Sequence, residues 1–169
     1  MKIELACLTL STIRTYGPKR INDLLERIDV STISKPADFI EKIRSSDLKI
    51  KVPKLEELES SFDKAVLTLN SLENTNIKLT TILSEDYPFR LKEGVDNPPT
   101  IIFYKGKLEN ISEKAVAIIG TRDPTEESIQ VANNLTTEMA KRGYCIVSGL
   151  AKGIDTVAHK GALENKVPT

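Results

Sequence analysis

Two short apolar runs in the last third of the chain, Ala115-Val116-Ala117-Ile118-Ile119 and Tyr144-Cys145-Ile146-Val147, are continuous rather than alternating, as strands covered on both faces are. A helical pattern joins them, with Val131, Leu135 and Met139 on one face, Pro124 at its start and Gly143 past its end. A second helical pattern, from about Gly153 to Glu164, follows the second run. Strand, helix, strand, helix in that order predicts a parallel pair with a crossover, the building unit of an open α/β sheet.

Each run ends in a loop of small residues carrying a cation: Gly120-Thr121-Arg122 after the first, and Ser148-Gly149-Leu150-Ala151-Lys152-Gly153-Ile154-Asp155 after the second. In open parallel sheets ligands lie beyond the carboxyl ends of the strands, where helix N-termini offer unpaired N–H groups and partial positive charge. Gly120 lets backbone approach closely, Thr121 supplies a hydroxyl, and the planar fork of Arg122 suits a phosphate. Ser148, Gly149, Lys152 and Gly153 repeat that chemistry one strand over, so the pair of loops predicts an anion site. Asp155 is expected to cap the last helix or to orient a cation. His159, the only histidine, lies one turn further on the same face and reads as a hydrogen-bonded packing residue rather than a base.

Two common phosphate chemistries do not fit. A dinucleotide fingerprint needs three closely spaced glycines, and Gly120 stands alone in its loop. A Walker loop needs lysine after its second glycine and then Ser or Thr, whereas Lys152 precedes Gly153 and Ile154 follows it. Cys7 and Cys145 lack metal-ligand spacing, and no matched acid–base pair is visible. The expected site therefore holds no metal, no cofactor and no catalytic residue. The formal net charge is zero, so a polyanion would have to be met by a local patch rather than by a global field. With no signal peptide, no run of 18 or more apolar residues and only two distant cysteines, the sequence reads as cytoplasmic, with reduced thiols and no membrane span.

The chain begins differently. Ile3, Leu5, Ala6, Leu8, Leu10 and Ile13 make one apolar helical face, Tyr16-Gly17-Pro18 breaks it, and Ile21, Leu24, Leu25 and Ile28 recur behind Pro18 as a second helix. Lys35-Pro36 opens a third with Phe39, Ile40 and Ile43, and Val52-Pro53 a fourth from Leu55 to Leu72. Glu56, Glu57, Glu59 and Asp63 sit early in the fourth, where the helix dipole favours acids. Arg14, Gly17, Lys19 and Arg20 at the first turn could meet a DNA phosphate, or the hairpin could simply pack. From Asn74 the period changes: Ile77, Leu79 and Thr81 alternate with Lys78 and Thr80, Asp86-Tyr87-Pro88 turns the chain, and Thr100 to Tyr104 reads as another strand. This places a domain boundary between residues 74 and 75.

With Ile119-Gly120-Thr121-Arg122, the segment Ser148 to Asp155, Ala158-His159 and Gly161-Ala162-Leu163 in view, the chain closely resembles the DprA/Smf family of DNA-processing proteins. Upstream, Asp86-Tyr87-Pro88 with Leu91, and Asn97-Pro98-Pro99 through Tyr104, Lys105, Gly106 and Leu108, match the segment before that family's core. The helices of residues 1–74 resemble its small helical domain, of SAM or helix-hairpin-helix type. The resemblance implies an α/β protein with a partial Rossmann-like, mostly parallel, doubly wound sheet over residues 75–169. It implies single-stranded DNA binding in natural transformation and recombination, loading of the RecA recombinase, a homodimer in the full-length protein, and no catalysis. Gly120, Thr121 and Arg122 would cradle one backbone phosphate, and Ser148, Gly149 and Lys152 the next. An adjacent pocket would take a base, with Tyr104 and Tyr144 as candidate stacking rings.

Two departures stand out. The Ser-x-x-Gly pattern that usually follows the Arg loop is replaced by Pro124-Thr125-Glu126-Glu127-Ser128-Ile129, which brings two carboxylates near the expected phosphates. The chain also stops at Val167-Pro168-Thr169, where a further strand is expected to begin. The alternative reading is a nucleotide-binding enzyme or sensor of the lysine-decarboxylase-like phosphoribohydrolase group, which shares the Rossmann-like architecture.

Overall fold

A computed structural model describes residues 1–108 and 114–169. They form two compact units, Met1–Gly106 and Lys107–Thr169.

The first unit holds helices α1 (Ile3–Ser11), α2 (Pro18–Leu25), α3 (Asp38–Ser45) and α4 (Leu55–Leu72), strands β1 (Lys78–Thr81) and β2 (Ile101–Tyr104), and between these strands the short helix α5 (Phe89–Gly94). Pro18 sits at the first position of α2, where its missing N–H costs nothing. The acids Glu56 and Glu57 occupy the first turn of α4, as the dipole favours. Helix α1 is buried along Ala6-Cys7-Leu8-Thr9-Leu10, and Thr9 is tolerated there because its hydroxyl donates to the Leu5 carbonyl at 2.7 Å. The core gathers Leu10, Leu24, Phe39, Ile43 and Leu58 from the four helices, with Ile13 just past the end of α1. Each such fully buried aliphatic or aromatic side chain stabilises by about 1.5–3 kcal/mol relative to exposure.

Strands β1 and β2 pair antiparallel, with Lys78 opposite Tyr104 and Thr81 opposite Ile101. They belong to the helical unit: Ile82 and Tyr87 lie in its core, with Ile101 and Ile102 packed against it. Asn22 of α2 ties the two parts together, donating through Nδ2 to the Pro98 carbonyl at 2.9 Å and accepting the Thr100 hydroxyl at 2.7 Å. The change of period near residue 75 thus marks a change of secondary structure, whereas compactness divides the chain at Gly106.

The second unit is the β-α-β-α unit: β3 (Ala115–Ala117), α6 (Glu126–Lys141), β4 (Cys145–Val147) and α7 (Ile154–Glu164). β3 and β4 pair in parallel, Ala115 with Cys145 and Ala117 with Val147, and the Ile118 N–H extends the ladder to the Val147 carbonyl at 3.0 Å. Among the described residues, then, parallel pairing is confined to β3–β4. The topology explains why: only these strands are joined by a crossover helix, whereas β1 and β2 need no crossover to run antiparallel. Helix α6 begins two residues later than Pro124 marks, because Thr125 is the cap and its hydroxyl accepts the Ser128 N–H at 3.2 Å. It ends as expected, with Gly143 at φ 77° just past the last turn. The core is small and alanine-rich, built from Ile118, Ala132, Ile146, Ile154, Ala158 and Ala162. Helices α6 and α7 approach closely enough that a Cβ at Gly161 would lie 2.8 Å from the Thr136 methyl.

Beyond α7 the chain runs beside β4. The Ile146 N–H donates to the Pro168 carbonyl at 2.9 Å, and the Thr169 hydroxyl donates to the Ile146 carbonyl at 2.8 Å.

Candidate nucleic-acid interface

The two loops at the carboxyl ends of β3 and β4 are built against each other. Gly153 has φ 85°, and a Cβ there would lie 2.2 Å from the Thr121 carbonyl oxygen and 2.8 Å from Arg122 Cα. Only glycine fits, for the backbone conformation and for the space. The next amide, Ile154 N–H at the start of α7, donates to the same Thr121 carbonyl at 3.1 Å. Gly120 is required from the other side, since its Cβ would fall 2.8 Å from Ile154 Cβ. Gly120 and Gly153 therefore act as packing glycines that bring the loops together.

Asp155 braces the second loop. It is 7% exposed, and its Oδ2 accepts the Gly149 N–H at 3.1 Å and the Ala151 N–H at 3.3 Å. It does not cap α7, whose cap position is Gly153, because its carboxylate turns back to the loop amides before the helix. Gly149 is small for the same reason: a Cβ there would meet Asp155 Oδ2 at 2.9 Å. The Ser148 hydroxyl donates to the Ile118 carbonyl at 2.7 Å, fastening the end of β4 to the end of β3. Ser148 and Gly149, expected among the phosphate contacts, thus have these donors engaged inside the chain.

The groups left facing outward are the cations. Arg122 and Lys152 are exposed, and no salt bridge among the described residues engages either one, the two present being at Glu138. Thr121 is also exposed, its hydroxyl accepting the Asp123 N–H at 3.2 Å to hold a tight turn under Arg122. Opposing charge is close in sequence: Asp123, Glu126 and Glu127 are exposed on the same loop and the first turn of α6.

The remaining candidates fall elsewhere. His159 packs: its Nδ1 lies 2.6 Å from the Thr169 hydroxyl, and its Nε2 is buried with no hydrogen-bond partner among the described residues. Tyr144 precedes β4, so it stands at the opposite end of the strand from Ser148, about 13 Å away at 3.3 Å per residue. It cannot stack on a ligand at the loops. Tyr104 belongs to the first unit, where the Lys78 ammonium sits 6.0 Å from its ring centre. Arg14, Gly17, Lys19 and Arg20 are exposed at the α1–α2 turn, with the Arg20 guanidinium donating to the Thr15 carbonyl at 2.6 Å. Sequence reasoning did not single out Leu150, which holds a left-handed φ of 57° and is 81% exposed.

Among the described residues no group of three His, Cys, Asp or Glu side chains could hold a metal ion, and no helix is long and apolar enough to cross a membrane.

With this geometry established, comparison with known proteins is specific. Residues 78–169 match the family model for DNA recombination-mediator protein A. The chain is 39% identical over 111 residues to the DNA processing protein DprA of Bacillus subtilis, an alignment covering 65% of this chain and 37% of that protein. It is 37% identical over 93 residues to protein Smf of Escherichia coli, covering 55% of this chain and 25% of that one. The X-ray structure of DprA from Streptococcus pneumoniae superposes with a TM-score of 0.71 at 26% identity, covering 99% of this chain and 56% of that chain. The chain thus spans well under two thirds of the length of these relatives.

Proposed function

The chain belongs to the DNA recombination-mediator protein A family, the DprA/Smf proteins of DNA processing, and from that premise we propose that it binds single-stranded DNA through the paired loops of its Rossmann-like unit. One observation carries the reading. Gly153 and Gly120 lock the two loops together and leave Arg122 and Lys152 exposed, with no salt bridge to either among the described residues, an arrangement suited to two successive phosphates of a flexible backbone. Arg122 meets one phosphate with its planar fork and Thr121 stands beside it; Lys152 meets the next as a point charge. Gly120, Ser148, Gly149, Gly153 and Asp155 shape the loops, and His159 secures the segment behind them. The exposed Arg14, Lys19 and Arg20 around Gly17 are a second candidate backbone contact, carried by the helical unit.

The site is read as one of binding without turnover. Asp155 is committed to two amides and His159 Nδ1 to Thr169, which leaves neither placed as a general acid or base toward a ligand. The reading extends to natural transformation and recombination in the cytoplasm, with delivery of the strand to the RecA recombinase and homodimerisation of the full-length protein as further parts of the proposal, supported by family membership. Thermal melting separates this reading from a nucleotide enzyme or sensor. A short oligothymidylate should raise the melting temperature while a nucleoside monophosphate at the same phosphate concentration does not; the reverse pattern would overturn the proposal.

A further inference from the structure

Leu150 is a large apolar side chain held out into solvent, 81% exposed, on a backbone with φ 57°. The left-handed region costs a residue with a Cβ about 1 kcal/mol or more and is ordinarily left to Gly or Asn. Here it is imposed: the amides on either side of Leu150, those of Gly149 and Ala151, both donate to the buried Asp155 carboxylate. The loop therefore aims Leu150 outward by construction, and it does so two residues before the exposed Lys152 and on a loop abutting Arg122. Strain retained at a ligand loop is an outlier from which function can be inferred.

Resting on the single-stranded DNA reading above, we propose that Leu150 is the base-contacting residue of this site, an apolar platform against which the face of a nucleobase lies while Lys152 and Arg122 hold the phosphates. The flanking cations select the occupant: an apolar residue on a loop that carries one exposed positive side chain and abuts another complements a nucleotide, which carries anionic and flat apolar parts on one unit. An aliphatic side chain has no donor or acceptor to read a base edge. The contact therefore adds affinity for any base and requires only that a base be present, as base-stacking platforms in single-strand binders do.

The test uses this chain, a fluorescent oligothymidylate, and a strand of the same length and charge whose central nucleotides are abasic. Leu150→Ala should weaken binding to the thymidylate strand about three- to tenfold, a loss in keeping with removal of one apolar base contact, and leave the abasic strand and the salt dependence unchanged. Arg122→Ala should weaken binding to both strands. Leu150→Gly, which relieves the left-handed strain, should match or exceed the parent in melting temperature and still lose the preference for the base-bearing strand. If Leu150→Ala leaves thymidylate binding intact, or weakens both strands equally, while Arg122→Ala weakens both, the base-contact assignment is wrong and the phosphate site stands. If Arg122→Ala changes neither, the phosphate reading has failed and the Leu150 assignment with it.

Discussion

The Asp155 carboxylate accepts the Gly149 N–H at 3.1 Å and is 7% exposed, so a buried acid braces the second loop. The same oxygen holds Ala151. Asp155→Ala would leave both amides without this acceptor and remove two hydrogen bonds to a charged group, each worth about 1.5–3 kcal/mol. The variant is expected to lose about 3 kcal/mol or more in urea unfolding and to bind DNA more weakly, because Leu150 and Lys152 lose their fixed direction. Unchanged unfolding would show that the brace is dispensable.

Gly153 should be intolerant of any side chain. An added Cβ would fall 2.2 Å from the Thr121 carbonyl oxygen, a backbone atom that cannot move without parting the loops, and φ 85° adds left-handed strain. Gly153→Ala is expected to cost more than about 2 kcal/mol and to abolish DNA binding. Gly17→Ser provides the contrast: at φ −92° with nothing within 4 Å of the added Cβ, and with serine a good helix cap, its melting temperature should be equal or higher. A melting curve for Gly153→Ala matching that of the parent would disprove the packing account of the loops.

The pH response of the first unit follows from Cys7 and Tyr16. Burial pushes the Cys7 thiol from 9.0 up to about 12, and burial, aided by the Glu57 carboxylate, pushes the Tyr16 phenol from 10.0 up to about 12. Both groups hold their protons more tightly folded than unfolded, so their contribution is fully present below pH 9 and is lost as pH rises through 9 toward 12. Urea midpoints should fall across that window, and Cys7 should resist alkylation in the folded chain at pH 8. At the acid end, hydrogen bonds from Ser31 to Asp29 and from the Ser34 and Lys35 amides to Asp38 lower those carboxyls below 3.8. Their contribution is lost as pH falls through those lowered values. Stability that stays flat from pH 9 to 11 would contradict the alkaline half of this account.

Periodicity carried most of the fold. The continuous runs at 115–119 and 144–147, and the glycine past Lys141, marked the crossover unit because buried parallel strands and helix ends leave direct traces in sequence. Other features left none. Asn22 is an ordinary polar residue in a helical pattern, and only the fold shows it receiving Thr100 and reaching Pro98, contacts that join the segment leading into β2 to α2. At the candidate site, the placement of two exposed cations on the loops after β3 and β4 was legible, because small residues and charge follow the two apolar runs directly. The engagement of Ser148 and Gly149 was not, since it depends on Ile118 and on the direction Asp155 turns. Leu150 carries no signal of its own between glycine and alanine; what sets it apart is a backbone angle that no residue type announces.

The central claim, that Arg122 and Lys152 each neutralise a backbone phosphate, is tested most directly by the salt dependence of binding to oligothymidylate. For single strands the slope of log K against log salt is about −0.7 per neutralised phosphate, so the two cations should contribute about −1.4. The account predicts that Arg122→Ala with Lys152→Ala reduces the slope magnitude by about that amount and weakens binding alike for every base composition. A slope and an affinity identical to the parent would place the DNA elsewhere on the chain.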